Sequence, residues 1–384
     1  MSLIRFQSVH KHFGGLDVLT DLNFVINPRS KTGLIGPNGA GKTTILKLIL
    51  GQEEPTDGAV VRQDGGQIGY VPQYPEFPDG CTVMQALTLE LAEAEASLRR
   101  AEERLSTVDQ SSIEKALKEY QSARDAYDAM DGDEARERSE KLIVSFGLSG
   151  KEDQDVATLS GGERNILSLA QATLIQPDLL ILDEPGNHLD YIGLAWLEEF
   201  VRSYPGAVLL VSHNRYLLDR AADRIFELED GSITPYSGNY SEYRRSKLQK
   251  LVAAQSDYTA NQKRLARLEA LVARFEVIAR STADPKWGKR LRARRTQLSK
   301  EQERAVEKPE LDTRAMRVGL SRETTKADIA LQINGYSKSF GDNVLFESAD
   351  LRFSCGERVA FVGPNGSGKT TLLKDIIAKG DWND

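Results

Sequence analysis

Gly36, Pro37, Asn38, Gly39, Ala40, Gly41, Lys42 and Thr43 follow the pattern G-x-x-x-x-G-K-[ST], with Thr44 directly after it. These residue types suit a bound triphosphate. The glycines let backbone N–H groups wrap a β-phosphate. Lys42 adds a point charge, a helix opening behind the loop adds its dipole, and the Thr43 hydroxyl can ligate Mg²⁺. Further on stands Leu179-Leu-Ile-Leu-Asp-Glu-Pro185, with Asp183 and Glu184 as adjacent acids. Beside such a loop, Asp183 is expected to hold Mg²⁺ through its water shell, and Glu184 to orient and polarise an attacking water. Between the two lies Thr158-Leu-Ser-Gly-Gly-Glu163. Ser160 and Glu163 fit the S-x-x-E capping box, while Gly161 and Gly162 leave bare N–H groups for an anion.

The elements that must carry these groups can be read around them. An apolar run ends at Leu34-Ile35, and a helical pattern runs from Thr44 to Leu50, so the first loop joins a strand to a helix. Four apolar residues before Asp183 read as a buried parallel strand, whose C-terminal end is where ligands of open α/β sheets bind. A helix is expected over Arg164–Leu174.

The loop recurs. Gly363, Pro364, Asn365, Gly366, Ser367, Gly368, Lys369 and Thr370, followed by Thr371, repeat it at a constant offset of 327 residues, and Phe340 repeats Phe13 at the same offset. Constant self-similarity implies two copies of one domain. The first copy has room to be complete. The second has its opening strands, loop and first helix before Asp384, so the chain is expected to be truncated, because a two-layer α/β core cannot close from that part alone.

The chain has 384 residues, 40% hydrophobic and 28% charged, with a formal charge of −7. That balance fits a soluble protein and argues against a general nucleic-acid binder. Cys81 and Cys355 stand far apart and in no metal-ligand spacing, so no disulfide framework is expected and a reducing cytoplasm is. The opening residues MSLIRFQSVHKHF lack the apolar core of a secretory leader, no run reaches the length of a spanning helix, and no membrane partner is expected.

Charge is segregated. Residues 85–140 hold fifteen acids and eight bases. Leu91, Ala94, Leu98, Ala101 and Leu105, then Ile113, Ala116, Tyr120, Ala123, Tyr127 and Met130, form two stripes that predict an antiparallel helical pair. Residues 263–304 hold thirteen bases and five acids. In the linker that holds them, Tyr258, Leu265, Leu268, Val272 and Phe275 predict a second hairpin, with Asp284-Pro285 and Gly288 marking its bend. Arginines beside Phe275 and Trp287 suit phosphate contacts and stacking on unpaired bases.

The phosphate loop, LSGGE, LLILDEP and Val211-Ser-His213, in this order, resemble the ATP-binding cassette (ABC) ATPases. The resemblance implies an α/β P-loop cassette with a helical arm, a helical-hairpin linker and the start of a second cassette. Residues 1–243 would be the first cassette (arm about 85–140), 244–328 the linker, and 329–384 the opening of the second cassette. It implies that Phe13 and Phe340 stack on adenine and that Gln73 senses Mg²⁺ and the attacking water. Asn187 to Asp190 would form the D-loop, and His213 would contact the γ-phosphate. The metal set would be Thr43, Gln73, Asp183 and Thr370. Ser160, Gly161, Gly162 and Glu163 would cover the γ-phosphate held by the other cassette.

Asn187-His-Leu-Asp190, Ser212-His-Asn-Arg-Tyr-Leu-Leu-Asp219 and Tyr236-Ser-Gly-Asn-Tyr-Ser-Glu-Tyr243, after an Asp230-Gly231 turn, resemble the F subfamily. Gly186 and Asn214 depart from it, where threonine and aspartate are usual. The subfamily implies a cytoplasmic ATPase on the ribosome, whose linker reaches ribosomal and transfer RNA. Some such proteins relieve stalled translation and others protect ribosomes from antibiotics. Here Arg274, Arg280, Lys286, Trp287, Lys289, Arg290, Arg292, Arg294 and Arg295 would make that contact. The two cassettes would pair within one monomer, and the 384-residue chain, weak in turnover, would depend on homodimerisation for more. The rival readings are the ATPase subunit of a membrane transporter and a DNA-binding repair ATPase.

Overall fold

The computed structural model describes residues 2–107, 112–281, 285–303, 329–341 and 343–379. Two compact units arise, one from residues 1–240 with 325–384, the other from residues 241–324.

In the first unit, strands β1 (Ile4–Phe13), β2 (Leu16–Ile26) and β4 (Asp57–Arg62) form an antiparallel sheet in the order β2-β1-β4. A second, mainly parallel sheet is built from β3 (Lys31–Ile35), β5 (Ile68–Val71), β6 (Leu179–Asp183), β7 (Ala207–Val211), β8 (Arg224–Glu229) and β9 (Ser232–Ser237). Its order is β5-β6-β7-β3-β8-β9, antiparallel only at β8-β9. Asp230 (φ 48°) and Gly231 (φ 72°) make the tight turn between those two strands, as two positive φ values in a two-residue hairpin require.

Helix α1 (Lys42–Leu50) buries Ile45, Leu46, Leu48 and Ile49. Both sheets and this helix share one core. Phe6 stacks on Phe24 at 4.2 Å, and Phe24 meets Phe226 edge-on at 5.2 Å. Strand β7 is buried at every residue and β6 at its first four, as expected of parallel strands covered on both faces.

The arm departs from a simple pair. Before it comes α2 (Val83–Leu87), opened by a Thr82–Gln85 capping box that the sequence reading missed. Helices α3 (Leu89–Thr107) and α4 (Ile113–Ala129) pair, and α5 (Gly132–Ser145) packs as a third member. Leu91, Leu98, Tyr127 and Ala135 bury together with Leu174 of α6 (Gly161–Leu174). Ile113, placed in the apolar stripe, is 50% exposed at the first position of α4. Helix α6 starts earlier than the expected Arg164, at the cap on Ser160. Helices α7 (Tyr191–Ser203) and α8 (Arg215–Ala221) complete this part.

The second unit holds α9 (Tyr240–Ser281) and α10 (Pro285–Glu303). They run antiparallel, with Arg264 on Glu301 at 3.2 Å and Arg295 on Glu276. Leu265, Leu268 and Val272 are buried and Phe275 is half-buried, as their stripe predicts. Gly288, expected at the bend, lies inside α10. Pro285 opens α10 at a position where its missing N–H costs nothing, and Asp284, also expected at the bend, lies outside the described residues. Among the described residues no helix is long and apolar enough to cross a membrane.

In the second copy, β10 (Ile329–Phe340) and β11 (Asn343–Ser354) pair antiparallel, and α11 (Lys369–Lys379) follows the loop. Arg358–Val362, the counterpart of β3, forms no strand. Strand β3 owes its ladder to β7 and β8 on either side, and residues 329–384 hold no counterpart of either.

Candidate functional site

Strands β5, β6, β7 and β3 are neighbours and parallel, so their C-terminal ends open on one edge. Gln73 follows β5, Asp183 ends β6, Glu184 follows it, His213 follows β7, and the Gly36–Thr43 loop follows β3. The topology therefore gathers residues 140 positions apart in sequence (Gln73 and His213) at one end of a sheet, where open α/β folds bind ligands. They line a cleft of about 660 Å³ together with Phe13 and Asn187.

The loop glycines are there for close approach. Gly41 (φ 104°) takes a backbone conformation that other residues resist, and a Cβ on Gly36 would lie 2.5 Å from the Leu228 carbonyl oxygen. Lys42 Nζ folds back on its own loop, donating to the carbonyls of Gly36 at 2.8 Å and Pro37 at 3.0 Å. Burial lowers its pKa, against the pull of Glu184 and Asp183. Asp183 is pushed up by burial and by Glu184, with Lys42 opposing. The three groups thus form one electrostatic unit, short of positive charge.

Glu184 sits at φ 49°, held by its own N–H on the Val211 carbonyl at 2.8 Å. Its Oε2 accepts the His213 backbone N–H at 3.3 Å. Its Oε1 is buried without a hydrogen bond, and His213 Nε2 stands 3.6 Å away, beyond bonding distance. An orphaned carboxylate oxygen aimed into a cleft is an acceptor prepared for a donor such as water.

Among the described residues no three His, Cys, Asp or Glu side chains cluster as a metal cage. Mg²⁺ retains several waters and relies on one or two protein oxygens plus substrate phosphates. Thr43, Asp183 and Gln73, on one cleft beside a phosphate loop, fit that demand.

The Ser160–Glu163 box forms as expected. Ser160 Oγ accepts the Glu163 N–H at 3.3 Å, and Glu163 Oε2 accepts the Ser160 N–H at 2.7 Å. Lys151, which the sequence reading did not single out, ion-pairs with Glu163 and, with Ser160, holds its carboxyl down at about 2. Gly161 and Gly162 pack under residues 187–190. A Cβ on Gly162 would come within 3.1 Å of the His188 carbonyl oxygen. Asn165 was also missed. Its amide donates to the Asn187 carbonyl at 2.6 Å, tying α6 to that segment. Its burial beside Ser168 and Thr173 on α6 is visible only in the structure.

The second loop repeats the first. Lys369 Nζ donates to the carbonyls of Gly363 and Pro364 at 2.8 and 2.6 Å. The loop also touches the first copy. Asn365 N–H donates to Asp190 Oδ2 at 2.8 Å, and Asn365 Nδ2 donates to the His188 carbonyl at 2.7 Å. Asp190 Oδ1 meanwhile caps α7 through Gly193 N–H at 2.8 Å. The second phosphate loop is therefore brought to Gly162, while Thr370 and Thr371 open α11 behind it.

In the helical hairpin, Arg274, Arg280, Lys286, Lys289, Arg290, Arg292, Arg294 and Arg295 are exposed. Several are engaged within the hairpin, among them Arg295 on Glu276, Arg294 donating to Gln297 Oε1 at 2.5 Å, and Arg290 at 5.0 Å over the Trp287 ring. Trp287 is itself half-buried against Phe275, ring centroids 5.8 Å apart, which leaves less of it for a base than the sequence suggests.

Comparison with known proteins agrees with this geometry. A family described as ABC transporter matches residues 19–187 and 346–382, and another of the same description matches 226–318. The ABC transporter F family member 2 of Arabidopsis thaliana is 33% identical over 97% of the chain and 55% of its own length. The tylosin resistance ATP-binding protein of Streptomyces fradiae is 33% identical over 98% of the chain and 72% of its own length. The energy-dependent translational throttle protein of Mycobacterium tuberculosis is 32% identical over 98% and 65%. The chain spans little more than half the length of several curated relatives, 54–58%.

Proposed function

The chain belongs to the F subfamily of ATP-binding cassette proteins, and on that premise we propose that it binds and hydrolyses ATP to control a basic lever on ribosomal RNA. Residues 1–243 act as the first cassette, 244–328 as the lever and 329–384 as the opening of the second cassette.

In this reading the Gly36–Thr44 loop cradles a triphosphate while Phe13 stacks on the base. Lys42 exchanges the carbonyls of Gly36 and Pro37 for phosphate oxygens, and the added negative charge beside Asp183 and Glu184 calls for a divalent cation. Thr43, Asp183 and Gln73 hold Mg²⁺, which supplies charge neutralisation across the phosphates when bound. Glu184 Oε1 takes the hydrogen bond it lacks from the attacking water, and His213 faces the γ-phosphate.

The observation that carries the proposal is the pair of hydrogen bonds from Asn365 to Asp190 and His188, beside Gly162. It supports a composite site in which Ser160–Glu163 of the first cassette covers the nucleotide of the Gly363–Thr371 loop. Closure of such a site is a two-state element that a γ-phosphate can bias. The names of two relatives, a translational throttle and a tylosin resistance protein, support the ribosome as the target. So does the concentration of bases in residues 263–304.

The test is ribosome co-sedimentation with and without ATP, for the chain and for Glu184→Gln. ATP should promote association and Glu184→Gln should prolong it. Association that ignores nucleotide and survives neutralisation of the lever's arginines would sink the proposal.

A further inference from the structure

The two copies share a feature that neither phosphate loop requires. Lys11 Nζ lies 4.9 Å from the centroid of the Phe13 ring, and Lys338 Nζ lies 5.7 Å from that of Phe340. Both separations are within the range of a cation–π contact. Residues i and i+2 of a strand share a face, so the spacing permits the contact. It does not hold the cation there, since an ammonium on an exposed strand end is free to turn into water.

Each lysine is anchored. Lys11 Nζ is 2.8 Å from Glu53 Oε2 and donates to the Glu54 carbonyl at 2.8 Å, leaving its side chain 11% exposed. Lys338 Nζ is 2.9 Å from Asp375 Oδ2, an oxygen that also accepts from Tyr336 Oη at 2.9 Å. The anchors do not correspond. At the offset of 327, Glu53 matches Gly380, and Asp375 matches Leu48. The lysine and the ring are repeated, while the acid comes from after the first helix in one copy and from within it in the other. A salt bridge kept for the fold would be expected to repeat both partners. What recurs is the cation at the ring.

Both rings are otherwise open, 47% exposed for Phe13 and 59% for Phe340. Phe13 borders the nucleotide cleft. We propose that Lys11 and Lys338 are positioning residues for base recognition. Each holds its phenylalanine from one side and sets a positive charge there, so that an electron-rich purine stacks on the remaining face. The lysine polarises the ring and restrains its rotation, and it touches no phosphate. The inference rests on the reading that Phe13 stacks the base.

Binding of Mg²⁺-free ATP and of inorganic tripolyphosphate is measured by calorimetry, in the chain carrying Lys369→Ala so that heat reports the first loop. Lys11→Met keeps the aliphatic stem and removes the charge. It should weaken ATP binding roughly two- to five-fold, the range of an exposed cation–π contact, with tripolyphosphate unchanged. Lys11→Arg should restore ATP binding. Equal losses for both ligands, or no loss for either, would overturn the proposal. Phe13→Ala separates the two readings. If it lowers ATP affinity selectively while Lys11→Met does not, the role of the lysine alone fails. If Phe13→Ala spares the ATP-to-tripolyphosphate ratio, base stacking fails and the lysine's role with it. Should Lys11→Met not fold, Glu53→Gln releases the lysine from its anchor. A selective loss of ATP affinity is again expected, and an unchanged ratio overturns the proposal.

Discussion

Asn365, in the second phosphate loop, donates its backbone N–H to Asp190 Oδ2 at 2.8 Å across 175 residues of chain. The same carboxylate caps α7 through Gly193, so one side chain serves a helix start and a distant loop. These two hydrogen bonds, Gly193 first, hold the Asp190 carboxyl below its usual range. Replacing Asp190 with Asn leaves one acceptor for the cap and sets an N–H donor against that of Asn365. Amide exchange at Asn365 should accelerate in Asp190→Asn while exchange within α7 stays near wild type. Equal acceleration at both would mean that the two roles cannot be parted.

Gly162 sets how closely residues 187–190 approach α6. A methyl group there would lie 3.1 Å from the His188 oxygen and 3.7 Å from Asn365 Nδ2. The first distance is too tight for backbone to ignore. Gly162→Ala should loosen the Asn365 contact and cost about 1–3 kcal/mol through overpacking. Denaturant midpoints, together with cleavage of the 329–384 segment by protease, would check it. A variant as stable and as resistant as wild type would show that the approach has slack.

The Ser160–Glu163 box carries a pH dependence whose sign is fixed by the acid. Lys151, then Ser160, hold the Glu163 carboxyl at about 2, down from 4.5. A depressed acid contributes stability above its unfolded pKa and loses it as pH falls through the folded one. The contribution is therefore present above pH 4.5 and fades between 4.5 and about 2. Glu163→Gln keeps an acceptor for the cap but does not titrate. The gap in melting temperature between wild type and Glu163→Gln should narrow across that window. A constant gap would remove the carboxylate from the account.

Much of this was legible because the signals are local. The first loop, the buried run before Asp183, the cap at Ser160 and the Asp230-Gly231 turn each need only a few consecutive residues. The stripe in α9 was readable for the same reason, since one face of one helix records its burial. What escaped was either non-local or underdetermined. Nothing near Asn365 announces Asp190. Asn165 reads as an ordinary helix residue until its amide is seen on Asn187. Helix α5 lies within and beyond the acidic stretch, and two apolar stripes were enough to suggest a pair without it. Arg358–Val362 has the composition of a strand, yet a strand is made by its neighbours. Gly288 suggested a bend by its type alone, while the helix tolerates it at a cost of about 1 kcal/mol.

The lever distinguishes its bases by what already holds them. Arg274, Lys289 and Arg292 are exposed, whereas Arg295 is paired with Glu276 across the hairpin. Neutralising the first three to Gln should weaken RNA binding and lower the salt slope by about 0.7 per lost phosphate contact on single strands. Arg295→Gln should lower hairpin stability more than the slope. Filter binding across salt, beside helix melting, separates the two effects. A slope that falls equally for all four would mean that Arg295 leaves Glu276 to meet RNA.

Glu184 concentrates the conflict between stability and chemistry. Its backbone is left-handed, its Oε1 is buried without a hydrogen bond, and after burial it is the next cause of the raised pKa of neighbouring Asp183. A residue kept for the fold would be relieved of all three. Glu184→Gln removes the charge and keeps the shape, so the repulsion with Asp183 and with an incoming triphosphate should fall. The variant should melt no lower than wild type and bind ATP at least as tightly. Turnover should drop by about 10²–10⁴, the usual worth of a positioned acid–base group. Calorimetry, thermal unfolding and phosphate release on the same preparation would measure all three. Lower stability with intact turnover would assign Glu184 to the fold, and its strained backbone would then need another explanation.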